Sequence, residues 1–363
     1  MAENKDKKVL NVPNLRFPEF EGEWQENYVN EICNEFKSGK AIKADLILDV
    51  GTYPVFGGNG LRGYTSTYNH DGLFVLIGRQ GALCGNVRSV IGKTYITEHA
   101  IAVNGNNKSD TNFLHYLFLQ MDLGRFSDQS AQPGLAVNKL LKLKVITPRI
   151  DEQRKIANLL RLLDERIATQ NKIIEDLKKL KSAISERLFK DTKGDVITLS
   201  EICDIVKGEQ INGELLSEHG KYYVMNGGTD PSGYYDNYNV EAYTISISEG
   251  GNSCGYVQFN KCPFWCGGHC YSIQNIADNV YNLYLYHYLK TEEKVIMKLR
   301  IGSGLPNIQK KDLATFKIKL PTSEQQKAIS DILSLLEQKA EIEEQMLIAM
   351  QAEKQYLLRQ MFI

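Results

Sequence analysis

Residues 156–167 read Ile-Ala-Asn-Leu-Leu-Arg-Leu-Leu-Asp-Glu-Arg-Ile, and residues 329–340 read Ile-Ser-Asp-Ile-Leu-Ser-Leu-Leu-Glu-Gln-Lys-Ala. Both stretches carry apolar residues at alternating spacings of four and three, the pattern of an amphipathic helix that packs against a partner helix. The pattern runs over several heptads, and the second copy follows the first at a constant spacing of 173 residues. The sequence therefore predicts two long helices in the same register.

Each predicted helix is about 38 residues and roughly 57 Å long, which is more than a domain of ~150 residues can cover. We therefore expect the two helices to pack on each other as an antiparallel coiled coil, although packing of each helix on its own domain stays open. The residues predicted to lie between the helices are Ile156, Leu160, Leu163, Ile167, Ile174, Leu177, Ile184, Leu188, Ile329, Leu333, Leu336, Leu347, Met350 and Leu357.

The sequence ahead of each helix is also written twice, at a spacing of 170 residues. Glu31-Ile32-Cys33 recurs as Glu201-Ile202-Cys203, Tyr68-Asn69 as Tyr238-Asn239, Cys84-Gly85 as Cys254-Gly255, and His99 as His269. Within each copy, apolar runs bounded by Gly and Asn predict strands at 73–77, 100–103 and 244–247 and helices at 112–121 and 282–289. Such a repeat predicts two similar modules on one frame.

The predicted fold is α+β: two similar α/β domains joined by two long helices, with an approximate two-fold axis between the repeats. The expected boundaries are a first domain at 1–150, a first helix at 151–190, a second domain at 191–322 and a second helix at 323–363. Because duplex DNA has local two-fold symmetry of the same kind, this architecture suggests a protein that measures a distance along DNA.

Composition narrows the class of protein. The net charge of −1 and a charged fraction of 24% give no general basic field, so a nucleic-acid partner would need a local patch or a second protein to face its phosphates. The sequence has no run of about 18 apolar residues, so it predicts no membrane span. Seven cysteines, an odd number, favour reduced thiols, and we expect a cytoplasmic protein.

Signatures of catalysis are missing from the sequence, so we predict a non-enzyme. There is no Asp-Pro-Pro-Tyr loop, and Gly92-Lys93-Thr94 lacks the first glycine of a phosphate-binding loop. Cys262, Cys266, His269 and Cys270 form a possible zinc cluster, but zinc sites more often use C-x₂-C pairs. We expect no metal here, and the zinc alternative stays open.

Two pairs of glycine-rich loops are the candidate binding elements, at 53–65 and 79–86 in the first repeat and at 222–235 and 249–256 in the second. Glycine lets a backbone approach a ligand closely, and Asn, Arg, Tyr and Thr can bond base edges or phosphates. That these loops are only turns is the alternative. The predicted DNA-binding residues are Tyr53, Asn59, Arg62, Tyr64, Arg79, Gln80, Asn86, Asn226, Thr229, Tyr234, Tyr235, Glu249, Asn252 and Tyr256.

The chain opens with Leu15-Arg16-Phe17-Pro18 and then repeats one order twice: a domain, a short motif and a long helix. The motif is Pro-x-x-x-Glu-Gln in the first repeat and Pro-x-x-Glu-Gln in the second. This organisation resembles the specificity subunit of type I restriction–modification enzymes. The resemblance covers nearly the whole chain. It implies that each domain recognises one half of a bipartite DNA site. It also implies that the helices set the spacer between the halves and dock the modification subunits. Since Arg79 stands where the second repeat has Glu249, an asymmetric site is expected.

The resemblance also implies partners and cofactors. Two modification subunits would methylate adenine with S-adenosylmethionine, and two restriction subunits that use ATP and Mg²⁺ are optional. None of these cofactors would bind this chain. A two-headed coiled-coil scaffold that binds proteins without recognising DNA is the alternative from another class, and an enzyme with an unrecognised active site is a third.

Overall fold

A computed structural model describes residues 10–81, 83–128, 134–302, 304 and 306–363. The chain divides into two compact units. The first unit holds the residues up to Gln170 together with Met346–Ile363, and the second unit holds Asn171–Gln345. The predicted domain boundaries remain a prediction, because this division cuts through both long helices and assigns half of each to each unit.

Within its described residues, the first unit contains nine strands, three short helices, the start of the first long helix and the end of the second. Its strands are β1 (Gln25–Tyr28), β2 (Cys33–Ser38), β3 (Tyr53–Gly57), β4 (Gly60–Thr65), β5 (Leu73–Gly78), β6 (Val87–Ile91), β7 (Tyr95–Ile96), β8 (Ala100–Gly105) and β9 (Lys144–Thr147). Its helices are α1 (Val29–Ile32), α2 (Thr111–Gln120), α3 (Val137–Leu140) and α4 (Ile150–Asp191), the last of which continues into the second unit.

The second unit repeats this order. Its strands are β10 (Asp195–Thr198), β11 (Asp204–Lys207), β12 (Tyr222–Met225), β13 (Tyr234–Tyr235), β14 (Thr244–Ser248), β15 (Val257–Asn260), β16 (Trp265–Cys266), β17 (Cys270–Gln274) and β18 (Lys317–Leu320). Its helices are α5 (Leu199–Ile202), α6 (Asn282–Thr291), α7 (Glu293–Ile296), α8 (Lys310–Ala314) and α9 (Ser323–Met361), which ends in the first unit. The strands and helices predicted from the sequence are confirmed.

The two units share one sheet topology. The first has sheets in the orders β2-β8-β5-β6, β4-β3-β7 and β1-β9, and the second has β11-β17-β14-β15, β13-β12-β16 and β10-β18. All pairings are antiparallel except β3 with β7 and β12 with β16. In each unit, the parallel partner of the hairpin, β7 or β16, is followed after three residues by an inner strand of the four-stranded sheet, β8 or β17. The short connection keeps the hairpin next to that sheet.

A buried glutamine fixes the start of each long helix. The Gln153 side chain donates to the carbonyls of Lys108 and Pro148 at 2.9 and 2.8 Å, and its oxygen accepts from the Asp110 backbone N–H at 2.9 Å. Gln326 makes the same three bonds in the second unit, to Asn279, Pro321 and Tyr281. The second repeat thus aligns on Gln326 and not on the Glu324-Gln325 pair that the sequence suggested, because Gln326 makes the buried contacts.

The opening segment is held by an ion pair to the first long helix. Arg16 donates to both carboxylate oxygens of Glu152 at 2.8 Å, and the Trp24 indole donates to the same carboxylate at 3.3 Å. Glu152 is 2% exposed, so the charge is compensated away from water.

In the first unit the beginning of α4 packs against the end of α9. Phe362 stacks on Phe113 of α2 with ring centroids 5.3 Å apart, and both rings belong to the core of this unit. Further along, Asp164 of α4 accepts from the Lys354 ammonium at 2.5 Å and from the Tyr116 hydroxyl at 2.9 Å. One carboxylate therefore ties α2, α4 and α9 together.

In the second unit the end of α4 packs against the beginning of α9. Lys178 pairs with Glu344 at 2.6 Å and Lys181 with Glu337 at 3.1 Å. Because the later residue of α4 pairs with the earlier residue of α9, the two helices are antiparallel here. The Tyr286 hydroxyl of α6 donates to Glu337 at 2.9 Å, which repeats the three-helix junction of the first unit. Antiparallel packing of the two helices is thus observed within each unit.

None of the fourteen residues predicted to lie between the helices is exposed. Ile156, Leu160, Ile174, Ile329 and Leu333 are buried, and the other nine are half-buried. Each apolar side chain that is fully buried contributes about 1.5–3 kcal/mol. That these fourteen residues lie between the two helices stays a prediction, because several of them belong to the cores of the two units. The fold class predicted from the sequence is confirmed: α+β, with two similar domains and two long helices that pack antiparallel. None of the described helices has a stretch apolar and long enough to span a bilayer.

Candidate nucleic-acid interface

The loop between β3 and β4, here called the first glycine turn (Gly57–Gly60), packs against the end of β5. A side chain at Gly58 would lie 2.7 Å from the His99 carbonyl oxygen and 3.6 Å from the Arg79 nitrogen. Only glycine allows this approach. The turn therefore lies beside Arg79, Gln80 and His99, whose imidazole Nδ1 is 3.1 Å from the Gln80 amide oxygen.

The side chains of two arginines lie against the first glycine turn, and the backbone of a third lies beside it. The Arg62 side chain lies against Gly57, Arg88 of β6 lies against Gly60, and Arg79 follows the end of β5. Among the described residues, no carboxylate forms an ion pair with Arg62, Arg79 or Arg88. Uncompensated guanidinium groups around a close-packed turn form the local basic patch that the overall charge does not provide.

The other predicted residues of the first unit lie on or near the same hairpin. Asn59 is exposed in the turn, Tyr53 and Tyr64 are half-buried on β3 and β4, and Asn86 is half-buried just before β6. The Tyr53 ring lies 5.0 Å from that of Tyr68. The hairpin and the loop after β5 thus bring together polar side chains separated by some 30 residues of sequence.

The second unit has an equivalent loop after β12, here called the second glycine turn (Asn226–Gly228). A side chain at Gly227 would lie 3.1 Å from the Gly250 oxygen and 3.2 Å from His269 Cβ. The Asn226 side-chain oxygen accepts from the His269 backbone N–H at 3.0 Å, and Ser248 Oγ donates to the Gly227 carbonyl at 2.7 Å. Gly250 and His269 are the counterparts of Gln80 and His99, so both turns have the same position in their domains.

Glu249 was predicted to face DNA, and the structure places its carboxylate inside the second unit. The side chain is about nine-tenths buried; its Oε1 accepts from Lys207 at 2.7 Å and from the Tyr271 hydroxyl at 3.1 Å. Burial and this carboxylate raise the pKa of Tyr271. Since His269 Nδ1 is 4.0 Å from the other oxygen, this arrangement favours a carboxylate that orients Lys207 and His269. Direct contact of Glu249 with a base stays a prediction.

The remaining predicted residues of the second unit differ in exposure. Thr229 and Asn252 are exposed, whereas Tyr234, Tyr235 and Tyr256 are half-buried. Tyr235 packs on Trp265 with centroids 5.3 Å apart. The Tyr256 ring lies 3.9 Å from the Lys290 ammonium, and burial raises the pKa of its hydroxyl.

The cysteine cluster does not converge on one point. Cys266 and Cys270 are buried, whereas Cys262 is exposed, and the Cys266 thiol lies 3.5 Å from the Cys270 carbonyl. Within the described part of the chain, no group of three or more His, Cys, Asp or Glu side chains is arranged to hold a metal ion.

Arg88 and its counterpart Gln258 are not among the residues predicted from the sequence to bind DNA. Both lie inside strands, β6 and β15, where an isolated polar residue is usually assigned to a solvent-facing position. The signal that could have drawn attention to them is a difference in charge at one repeat position, the same signal that singled out Arg79 and Glu249.

Comparison with known proteins now identifies the class. The model of the type I restriction modification DNA specificity domain matches residues 21–179 and again residues 193–351. The chain belongs to this family. Family membership confirms the resemblance found in the sequence, the assignment as a DNA specificity subunit and, because specificity subunits are non-catalytic components of type I enzymes, the assignment as a non-enzyme.

Individual relatives agree. A type I restriction enzyme EcoprrI specificity subunit of Escherichia coli is 39% identical over 173 residues, which span 47% of this chain and 42% of that protein. A putative type I specificity subunit of Mycoplasma genitalium is 24% identical over 93% of this chain and 94% of its own length. The crystal structure of a type I restriction-modification S subunit from M. genitalium superposes with a TM-score of 0.76 at 23% identity, covering 97% of this chain and 99% of that one. The last comparison shows the fold.

Proposed function

We propose that each unit of this specificity subunit recognises one half of an asymmetric bipartite DNA sequence and that the two long helices set the spacer between the halves. The observation that carries the proposal is the pair of glycine turns. They occupy the same place in two domains of the same topology, but the side chains around them differ. Arg62, Arg79 and Arg88 of the first unit correspond to Ser232, Glu249 and Gln258.

The difference in charge supports an asymmetric site. Arginine side chains suit guanine and phosphate, whereas neutral amide side chains suit adenine. The first unit thus carries the groups for a guanine-containing half-site, and the second unit the groups for a different one. Methylome sequencing of a host that expresses the complete system tests the proposal; a motif that is continuous or palindromic would contradict it.

We further propose that modification subunits dock on the helices, with DNA methylation by S-adenosylmethionine and any ATP- and Mg²⁺-dependent cleavage carried out by partner subunits in the cytoplasm. In the second unit, α4 and α9 expose large apolar side chains on the faces turned away from the seam. These are Ile173, Leu180, Ile332, Leu335 and Ile342, each 39–65% exposed. Apolar side chains that line solvent-facing helix surfaces indicate a protein partner.

Replacement of Arg79 by alanine should weaken DNA binding by the assembled methyltransferase by about 1–3 kcal/mol if the side chain makes a bidentate base contact. The loss should be largest on the cognate sequence and small on non-specific DNA. Binding titrations on both DNAs measure it, with Arg149→Ala as the control because Arg149 is exposed just ahead of α4. Unchanged affinity and unchanged sequence preference would remove Arg79 from the interface.

Seven residues inserted after Gln170 in α4 and after Glu343 in α9 should lengthen both helices by about 10 Å while keeping their apolar registers matched. If the helices set the gap, the recognised spacer should grow by about three base pairs, since ten pairs span about 34 Å. The same insertion in one helix alone mismatches the registers and should alter the tolerated spacer or abolish activity. Methylome sequencing that returned the original motif and gap from the double insertion would show that the helices do not set the spacer.

A further inference from the structure

Arg88 and Gln258 occupy the same position in the two units. Each lies on the edge strand of a four-stranded sheet, opposite Leu76 in the first unit and Ser246 in the second. Residues that face each other across antiparallel strands point to the same side of the sheet, and Leu76 packs with Phe56 of the three-stranded sheet. Arg88 therefore projects toward the β3–β4 hairpin, where its guanidinium lies against Gly60.

Both side chains have a buried polar atom without a partner. Arg88 Nε and Gln258 Oε1 are shielded from water, and neither makes a hydrogen bond. A buried polar group without a partner costs about 1–3 kcal/mol, and such groups are rare enough in folded proteins to require a reason. Two such atoms at one repeat position in two domains leave hydrogen-bonding capacity that a ligand can use.

The chemistry of the two side chains defines the ligand. An arginine can donate two hydrogen bonds to O6 and N7 of guanine, and a glutamine side chain can bond N6 and N7 of adenine. Both are half-buried, which leaves part of each side chain open to solvent. We propose that Arg88 and Gln258 each contact a base edge, so that the first half-site contains a guanine and the second an adenine at the corresponding position.

The inference rests on the proposed function, and two single substitutions test it in the assembled methyltransferase. Arg88→Gln should change or relax one position of the first half-site, with a loss of discrimination against the wrong base of about tenfold or more, and leave the second half-site as it was. Gln258→Arg should change or relax one position of the second half-site and leave the first half-site as it was. Methylome sequencing and binding to duplexes that carry each of the four bases at every position give the readout.

Controls separate folding and phosphate binding from base recognition. Arg88→Lys keeps the positive charge but not the bidentate geometry, so it should relax the preference for guanine while retaining affinity for non-specific DNA. Arg149→Gln should change neither the preference for guanine nor the affinity for non-specific DNA. A folded Arg88 variant that binds all sequences more weakly with unchanged preference would overturn the inference, because that result indicates a phosphate contact. If the wild-type complex has no bipartite motif, the proposed function is wrong. If the wild type has a bipartite motif and both variants recognise the same motif as the wild type, only this inference is wrong.

Discussion

Replacing Phe362 and Leu358 together by alanine is expected to unfold the first unit and leave the second unit folded. Both side chains are about 95% buried in the first unit's core. Removal of a buried Phe costs about 3–5 kcal/mol and of a buried Leu about 2–5 kcal/mol, against a typical total of 5–15 kcal/mol for a domain. The lost contacts include the stack of Phe362 on Phe113.

The two tryptophans allow each unit to be followed separately, because Trp24 belongs to the first unit and Trp265 to the second. In denaturant titrations of the Trp265→Phe background, the Trp24 fluorescence transition should move to a much lower concentration in the double alanine variant. In the Trp24→Phe background, the Trp265 transition should hardly move. Tyr356→Ala, at a position 58% exposed on the same helix, is the control. Equal shifts of both transitions would show that the end of α9 does not belong to the first unit alone.

Acid should destabilise both units through two histidines, His115, which is half-buried, and His287, which is buried. Burial lowers the pKa of His115, the nearby Asp164 opposes this change and Lys354 adds to it, and the resulting pKa is about 4. Burial likewise lowers the pKa of His287 to about 4. An unfolded histidine has a pKa near 6.5, so between pH 6.5 and 4 the unfolded state binds more protons than the folded state. The free energy of unfolding therefore falls as pH drops through this window.

The expected loss is at most about 3 kcal/mol for each histidine by pH 4. Urea titrations at pH 7 and pH 4.5 should show a smaller pH effect in a His115→Gln/His287→Gln variant than in the wild type. Carboxylates that titrate in the same range but lie away from the two histidines act equally on both proteins. His219→Gln, at an exposed loop position, should keep the wild-type dependence. If the double variant and the wild type lose stability in parallel, these two histidines are not the acid-sensitive groups.

The duplicated residues predicted the scaffold well because most of them hold the scaffold together. Glu31 and Glu201 accept from the backbone N–H groups of Tyr28 and Thr198 and cap a short helix in each unit. Asn69 bonds both the N–H and the carbonyl of Ile96, and Asn239 does the same to Cys266. Contacts of this kind depend on a fixed local geometry, so the same residue recurs at the same spacing.

The candidate interface was harder to predict for the opposite reason. Residues that recognise different half-sites must differ between the repeats, so they are not among the residues that recur at a fixed spacing. Glu249 was placed in the interface from its position alone, since its bonds to Lys207 and Tyr271 depend on strand pairings that propensities do not reveal. Arg88 was missed because its approach to Gly60 depends on how two sheets pack.

The division of α9 between the units has a consequence for biosynthesis. The core of the first unit includes Leu358, Met361 and Phe362, almost 200 residues beyond Gln170, where the earlier part of that unit ends. A ribosome that has finished the first domain has therefore not yet made the side chains that close it. The face of α2 that packs against these side chains stays exposed until α9 has been synthesised. During this interval a chaperone or a neighbouring nascent copy can bind that face.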